Sequence, residues 1–164
     1  MADIFHLDNE LPAQVDFAEA PPEINEVLKE GVVAYRRDRD AANALFQKAL
    51  AMAPEELSTY FCLYKIHTYM GGLDYAADIA EQGLRIATRQ AGWPDDPAQW
   101  PARAASHKGP GRFALFTLKA LAFIELKRGR PEITQKHLAA LAKADPQGEV
   151  GWPVIAELAQ GVDA

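Results

Sequence analysis

Four histidines, at positions 6, 67, 107 and 137, and a single cysteine, Cys62, are the residues of this chain best suited to hold a metal or to act as a nucleophile. Their spacing serves neither purpose. No two histidines form an HxxxH pair, which would put both rings on one face of a helix, and none stands at metal-ligand spacing from Cys62. Cys62 has no neighbour in sequence that would favour its thiolate, and no Ser or Cys lies in a nucleophile motif. "GPGR" at 109–112 has no strand before it and reads as a turn, not a phosphate loop. The acid pairs Glu55-Glu56 and Asp95-Asp96 stand at a helix start and in a loop, where the helix dipole and capping explain them. We expect no catalytic residue, no metal and no cofactor.

The bulk numbers describe an ordinary globular chain. It has 164 residues, 49% hydrophobic and 24% charged, enough for one domain with a core of its own. The net charge of -6 argues against general nucleic-acid binding, which needs surplus Lys and Arg to neutralise phosphates. That charge is unevenly placed. Residues 1–28 contain Asp3, Asp8, Glu10, Asp16, Glu19, Glu23 and Glu26 and no Lys or Arg, so the remainder of the chain is close to neutral. One cysteine excludes an intrachain disulfide and fits a reducing compartment. "MADIFHLDNE" lacks the basic start and apolar run of a secretory signal. "FALFTLKALAFIEL" is interrupted by Lys119 and is too short to span a bilayer. The expectation is a soluble cytoplasmic protein without a membrane partner.

The elements that would position any site show a rhythm. "ALFQKALAMAP", residues 44–54, has apolar residues at helical spacing and a closing proline. A shift of 34 residues carries Ala42 to Ala76, Leu50 to Leu84, Met52 to Ile86 and Tyr35 to Tyr69. A further shift of 58 carries Gly71 to Gly129, Leu63 to Leu121, Tyr60 to Leu118 and Ala80 to Leu138. Pro21-Pro22 suit a helix start, and Ile24, Val27, Leu28, Gly31 and Tyr35 form one apolar stripe after them. "RRDRD" can turn into a second helix, and "AMAPEEL" ends it. Gly71-Gly72 and Gly129 supply the left-handed residue that closes a helix. Small residues at 42, 49, 76 and 83 let neighbouring helices approach closely.

A 34-residue period of two amphipathic helices resembles the tetratricopeptide repeat. The residues that carry the resemblance are Ala42-x3-Phe46 with Pro54, Tyr60, Leu63, Gly71 and Ala76-x3-Ala80, and Thr134-x3-Leu138 with Pro146. Tyr64 stands at the family's glycine, Thr88 at its closing proline, and His67 at a packed aromatic. The fold this implies is all-α: antiparallel helix pairs stacked as a short solenoid. The units fall near 23–54, 57–88 and 115–146, with an insertion at 89–112 and a capping helix at 150–161. Residues 23–164 then form a single domain behind an acidic arm, 1–22.

In that family the first helix of each unit lines a concave face. The resemblance assigns to it Val27, Gly31 and Tyr35, then Ser58, Phe61, Lys65, Thr68 and Tyr69, then Phe116, Lys119, Phe123, Leu126 and Lys127. Five aromatics, three lysines and no acid stand in that row, a combination suited to an acidic, apolar stretch of another protein. The implied function is a non-catalytic adaptor or chaperone. The partner-binding residues would be Tyr35, Phe61, Lys65, Tyr69, Phe116, Lys119, Phe123 and Lys127. Size, acidity and repeat number are also similar to the repeat-containing chaperones of type III secretion translocators.

Two segments lie outside the repeat. The insertion, "RQAGWPDDPAQWPARAASHKGPGR", has four prolines and three glycines and cannot be one continuous helix, although "DDPAQW" can form one turn capped by Asp95 or Asp96. Its tryptophans, Trp93 and Trp100, either pin a loop to the body or form a lid; the second reading is an enzyme or small-ligand module with the insertion over the groove. The arm interleaves its acids with Ile4, Phe5, Leu7, Leu11, Val15 and Phe17, as flexible segments that fold onto a partner do. Docking of the arm in the groove of the same or a neighbouring copy, the latter giving a homo-oligomer, is the expectation drawn from that pattern.

Overall fold

The computed structural model describes residues 20–102 and 108–162, and there it is all-α. Seven helices follow one another: α1 (Pro22–Tyr35), α2 (Arg39–Met52), α3 (Leu57–Met70), α4 (Leu73–Ala91), α5 (Pro110–Lys127), α6 (Pro131–Ala144) and α7 (Trp152–Val162). A 3-10 turn, Pro97–Gln99, lies between α4 and α5. No strand occurs among the described residues.

Turn chemistry accounts for the helix ends. Asp38 caps α2, its Oδ1 accepting from the Ala41 N–H at 3.1 Å. Pro22, Pro110 and Pro131 each open a helix, where a missing N–H costs nothing. Gly71 and Gly129 take φ of 84° and 77° just past α3 and α5. The following N–H groups bond back to the His67 and Glu125 carbonyls, so both turns close in the same way. Pro54 and Pro146 follow Ala53 and Asp145, which sit at ψ of 82° and 64°, out of the helical range as a residue before proline should be. Thr88 holds the corresponding place in the second unit, and without a proline α4 runs on to Ala91 before Gly92, at φ 71°, stops it.

Helices joined by two- or three-residue turns must run antiparallel, and each packs on its neighbour in chain order. The α3–α4 pair lies between the others, with α2 against α3 and α4 against α5. Small residues set these distances. A Cβ on Gly83 would come within 3.0 Å of the Tyr60 Cβ and 3.2 Å of the Phe113 ring, so α4 is squeezed between α3 and α5. Ala42, Ala49, Ala76 and Ala80 are wholly buried. A polar network ties α2, α3 and α4 together: His67 Nε2 and Asn43 Oδ1 are 2.7 Å apart, Gln47 Nε2 donates to the Tyr75 hydroxyl at 2.6 Å, and the His67 ring packs on Tyr75 at 4.3 Å.

At the far end α7 packs on α5 and α6. Its approach is fixed by Asp145, which is buried and accepts from the Glu149 and Val150 N–H groups at 2.9 and 3.0 Å, while its carbonyl accepts from Trp152 Nε1 at 2.8 Å. The Asp145 carboxylate thereby satisfies backbone donors that a buried turn would otherwise leave orphaned. α3 and α5 are the centre of the core, with most residues of both buried.

Candidate functional site

The residues with functional character gather on α3 and α5. Along α3, Phe61 and Lys65 are one turn apart, and the Lys65 Nζ lies 4.3 Å from the centre of the Phe61 ring. Along α5 the pattern repeats: the Lys119 Nζ is 4.9 Å from the Phe116 ring and the Lys127 Nζ 5.5 Å from the Phe123 ring. At these distances an ammonium is held by the ring's quadrupole, more firmly the less water surrounds it. The 58-residue register sets Phe61 against Lys119 and Lys65 against Phe123 at equivalent places of α3 and α5. Ring and cation thus alternate both along each helix and between the two.

Burial divides the row. Phe61, Lys65, Phe116, Lys119 and Phe123 are buried, Tyr35 and Tyr69 half-buried, and Lys127 exposed. Lys65 is only 1% exposed. The Lys119 ammonium reaches the turn before α7, 3.7 Å from where a Cβ on Gly151 would stand. Ser58 is buried with its hydroxyl unbonded, and Thr68 donates back to the Tyr64 carbonyl at 2.6 Å. Gly31 does not belong to this face. A Cβ there would fall 2.3 Å from the Phe46 ring, so Gly31 is the contact point of α1 on α2. The cause is the first turn: Arg37 stands where Gly71 and Gly129 stand in the later units, and the α1–α2 connection closes through the Ala34 carbonyl without a left-handed residue.

One cation was not legible as part of this row. Arg112, within the expected insertion, lies in the first turn of α5 with its guanidinium 5.3 Å from the Phe116 ring. Pro110 was the available signal, since a proline that opens a helix places Arg112 one turn before Phe116.

α4 and α5 extend into the expected insertion from either side, α4 ending at Ala91 and α5 beginning at Pro110. Asp96 caps the 3-10 turn through the Ala98 N–H at 3.0 Å. Trp100 is buried, its ring 5.4 Å from that of Trp93 and its Nε1 donating to the Pro94 carbonyl at 3.0 Å. The turn rests on α6, where Lys143 donates to the Ala98 carbonyl at 2.8 Å. Residues 103–107, with His107, lie outside the described residues, as do residues 1–19 of the arm.

The other groups with chemical potential are packed. Cys62 is buried, and desolvation pushes its thiol up to about 12 although Lys65 pulls the other way. Burial lowers His67, and burial followed by the Lys136 charge lowers His137 to about 4. Among the described residues no three His, Cys, Asp or Glu side chains are placed to hold a metal ion, and no helix is long and apolar enough to cross a membrane. Compared with protein-family models, curated proteins and solved structures, the chain matches none. The functional reading therefore rests on the residues of the α3–α5 face.

Proposed function

We propose that the chain is a non-catalytic protein-interaction module of the tetratricopeptide-repeat kind, an adaptor or chaperone that takes an acidic, apolar segment of a partner protein on its α3–α5 face. The observation that carries this reading is the alternation of Phe61, Lys65, Phe116, Lys119, Phe123 and Lys127 into ring–cation pairs on two adjacent helices. Rings provide rigid apolar contact at small entropic cost, and cations held over them are ordered before a ligand arrives. A carboxylate is drawn to each ammonium, and an apolar side chain to each ring edge between them. Tyr35 and Tyr69, both half-buried, and Arg112, whose guanidinium lies by the Phe116 ring, would extend the contact.

The test is site-specific photocrosslinking in native lysate. A benzophenone amino acid is placed at Tyr69, on the border of the face, and separately at Lys48, an exposed position of α2. The expected result is a crosslink from position 69 only, to a segment in which acids and large apolar residues alternate. Equal crosslinking from position 48, or capture of a basic segment, would overturn the reading.

A further inference from the structure

Nineteen residues precede Ala20, and their composition sets them apart from the body. They contain Asp3, Asp8, Glu10, Asp16 and Glu19 and no Lys or Arg. Ile4, Phe5, Leu7, Leu11, Val15 and Phe17 stand between or beside those acids. Their point of attachment is well defined. Ala20 is buried and its carbonyl accepts from Asn25 Nδ2 at 3.2 Å. Pro21 is extended, at φ -53° and ψ 148°, and leads into Pro22 at the start of α1.

We propose that residues 1–19 fold back over the α3–α5 face of their own molecule and occupy it as an internal ligand that a partner must displace. This rests on the reading of that face as a binding site for acidic, apolar segments. Three observations favour this occupant. The arm has the composition the face selects: acids adjacent to apolar residues, matching ammonium groups adjacent to rings. Its reach is sufficient, since nineteen extended residues span up to about 60 Å, whereas the eighteen residues of α5 run for only about 27 Å. Its tether is short and stiffened by two prolines, so its local concentration at the face is roughly millimolar, enough for weak docking to compete. Phe5, Leu7 and Phe17 are the apolar anchors, and Asp8 and Asp16 are the acids beside them that meet the lysines.

A nitroxide on Asn9→Cys in the full chain tests the contact directly, since Cys62 is buried with its thiol pushed up to about 12 and stays unlabelled in the folded protein. Amide signals of α3 and α5 should broaden more strongly than those of α2 and α6. Absence of broadening overturns the proposal. So does broadening that arises equally from nitroxide on a second, isotopically silent copy, which would assign the arm to a neighbouring molecule.

A second measurement separates this proposal from the reading beneath it. A fluorescent peptide of residues 1–19 is titrated into the full chain and into the full-length Phe5→Ala/Leu7→Ala/Phe17→Ala variant. The peptide should bind the variant roughly tenfold or more tightly than the wild type, with the difference shrinking as salt is added. Equal binding to both leaves the face as a peptide site and overturns its occupation by the arm. Binding to neither overturns both.

Discussion

The Lys65 ammonium lies 4.3 Å from the centre of the Phe61 ring, and neither side chain is more than 1% exposed. A lysine so far from water is costly unless its charge is compensated, and the ring face is one of its compensations. This pair makes the two substitutions of Lys65 behave oppositely. Lys65→Met replaces a buried cation by an apolar chain of similar shape and should change stability by no more than about 1 kcal/mol. Lys65→Glu puts a carboxylate against the negative face of the ring and should destabilise by about 3–5 kcal/mol. Urea unfolding of both variants decides, and similar losses would show that the ammonium is not held as described.

Helix spacing in the central pair depends on Gly83. Gly83→Ala should destabilise by about 1–3 kcal/mol, because the added methyl meets the Tyr60 backbone-proximal carbon and the Phe113 ring in a packed core. Gly161→Ala in α7 faces open space and should be neutral or stabilise by up to about 1 kcal/mol through helix propensity. Thermal unfolding of the two single variants gives the comparison.

Much of this architecture was legible in the sequence. The 58-residue step carries the α3–α4 turn onto the α5–α6 turn because Gly71 and Gly129 force the same left-handed closure. Pro54 and Pro146 end helices at matching places, and Thr88 tells, by the proline it replaces, that α4 runs on. The first unit was harder to place. Its turn lacks the glycine, and the Gly31–Phe46 contact is what takes Gly31 off the expected face. The residues of the row were assigned through the resemblance to the repeat family, but their burial was not legible, because it depends on packing between helices. The pairing of Asp74 with Arg128 was hidden too, since it joins two turns distant in sequence.

Those turns are held by a small ion network. Arg128 Nη1 is 2.7 Å from the Glu125 carboxylate, Arg130 is 3.7 Å from its other oxygen, and Arg128 Nε reaches Asp74 at 3.3 Å. Glu125 is buried, whereas the Asp74 side chain is 92% exposed. Arg128→Ala leaves a buried carboxylate with only the half-exposed Arg130 beside it and should cost about 3–5 kcal/mol. Asp74→Ala removes only an exposed partner and should cost less than about 1 kcal/mol. A double variant, Arg128→Ala/Glu125→Gln, should recover much of the loss.

Stability should fall on mild acidification for a reason located at His137. Burial, followed by the Lys136 charge, lowers its folded pKa to about 4 against an ordinary value of 6.5. Above pH 6.5 the ring is neutral in both states and its contribution is fully present. Between 6.5 and 4 the unfolded chain takes up a proton that the folded chain resists, so stability is lost as pH falls. His67, lowered by burial, acts with the same sign. Melting temperatures from pH 8 to pH 4 should decline less steeply in His137→Gln than in the wild type.

The central claim is that the α3–α5 face recognises acidic, apolar segments through its cations. Lys127 is exposed and Arg112 partly so, and reversing either should alter stability by no more than about 0.5 kcal/mol. The decisive measurement is the association rate and affinity of the crosslinked partner segment, made as a peptide, for wild type and for Lys127→Glu/Arg112→Glu over a range of salt. The variant should show slower association, weaker affinity and a flatter salt dependence at an unchanged melting temperature. Identical affinity and salt dependence in the two proteins would contradict it.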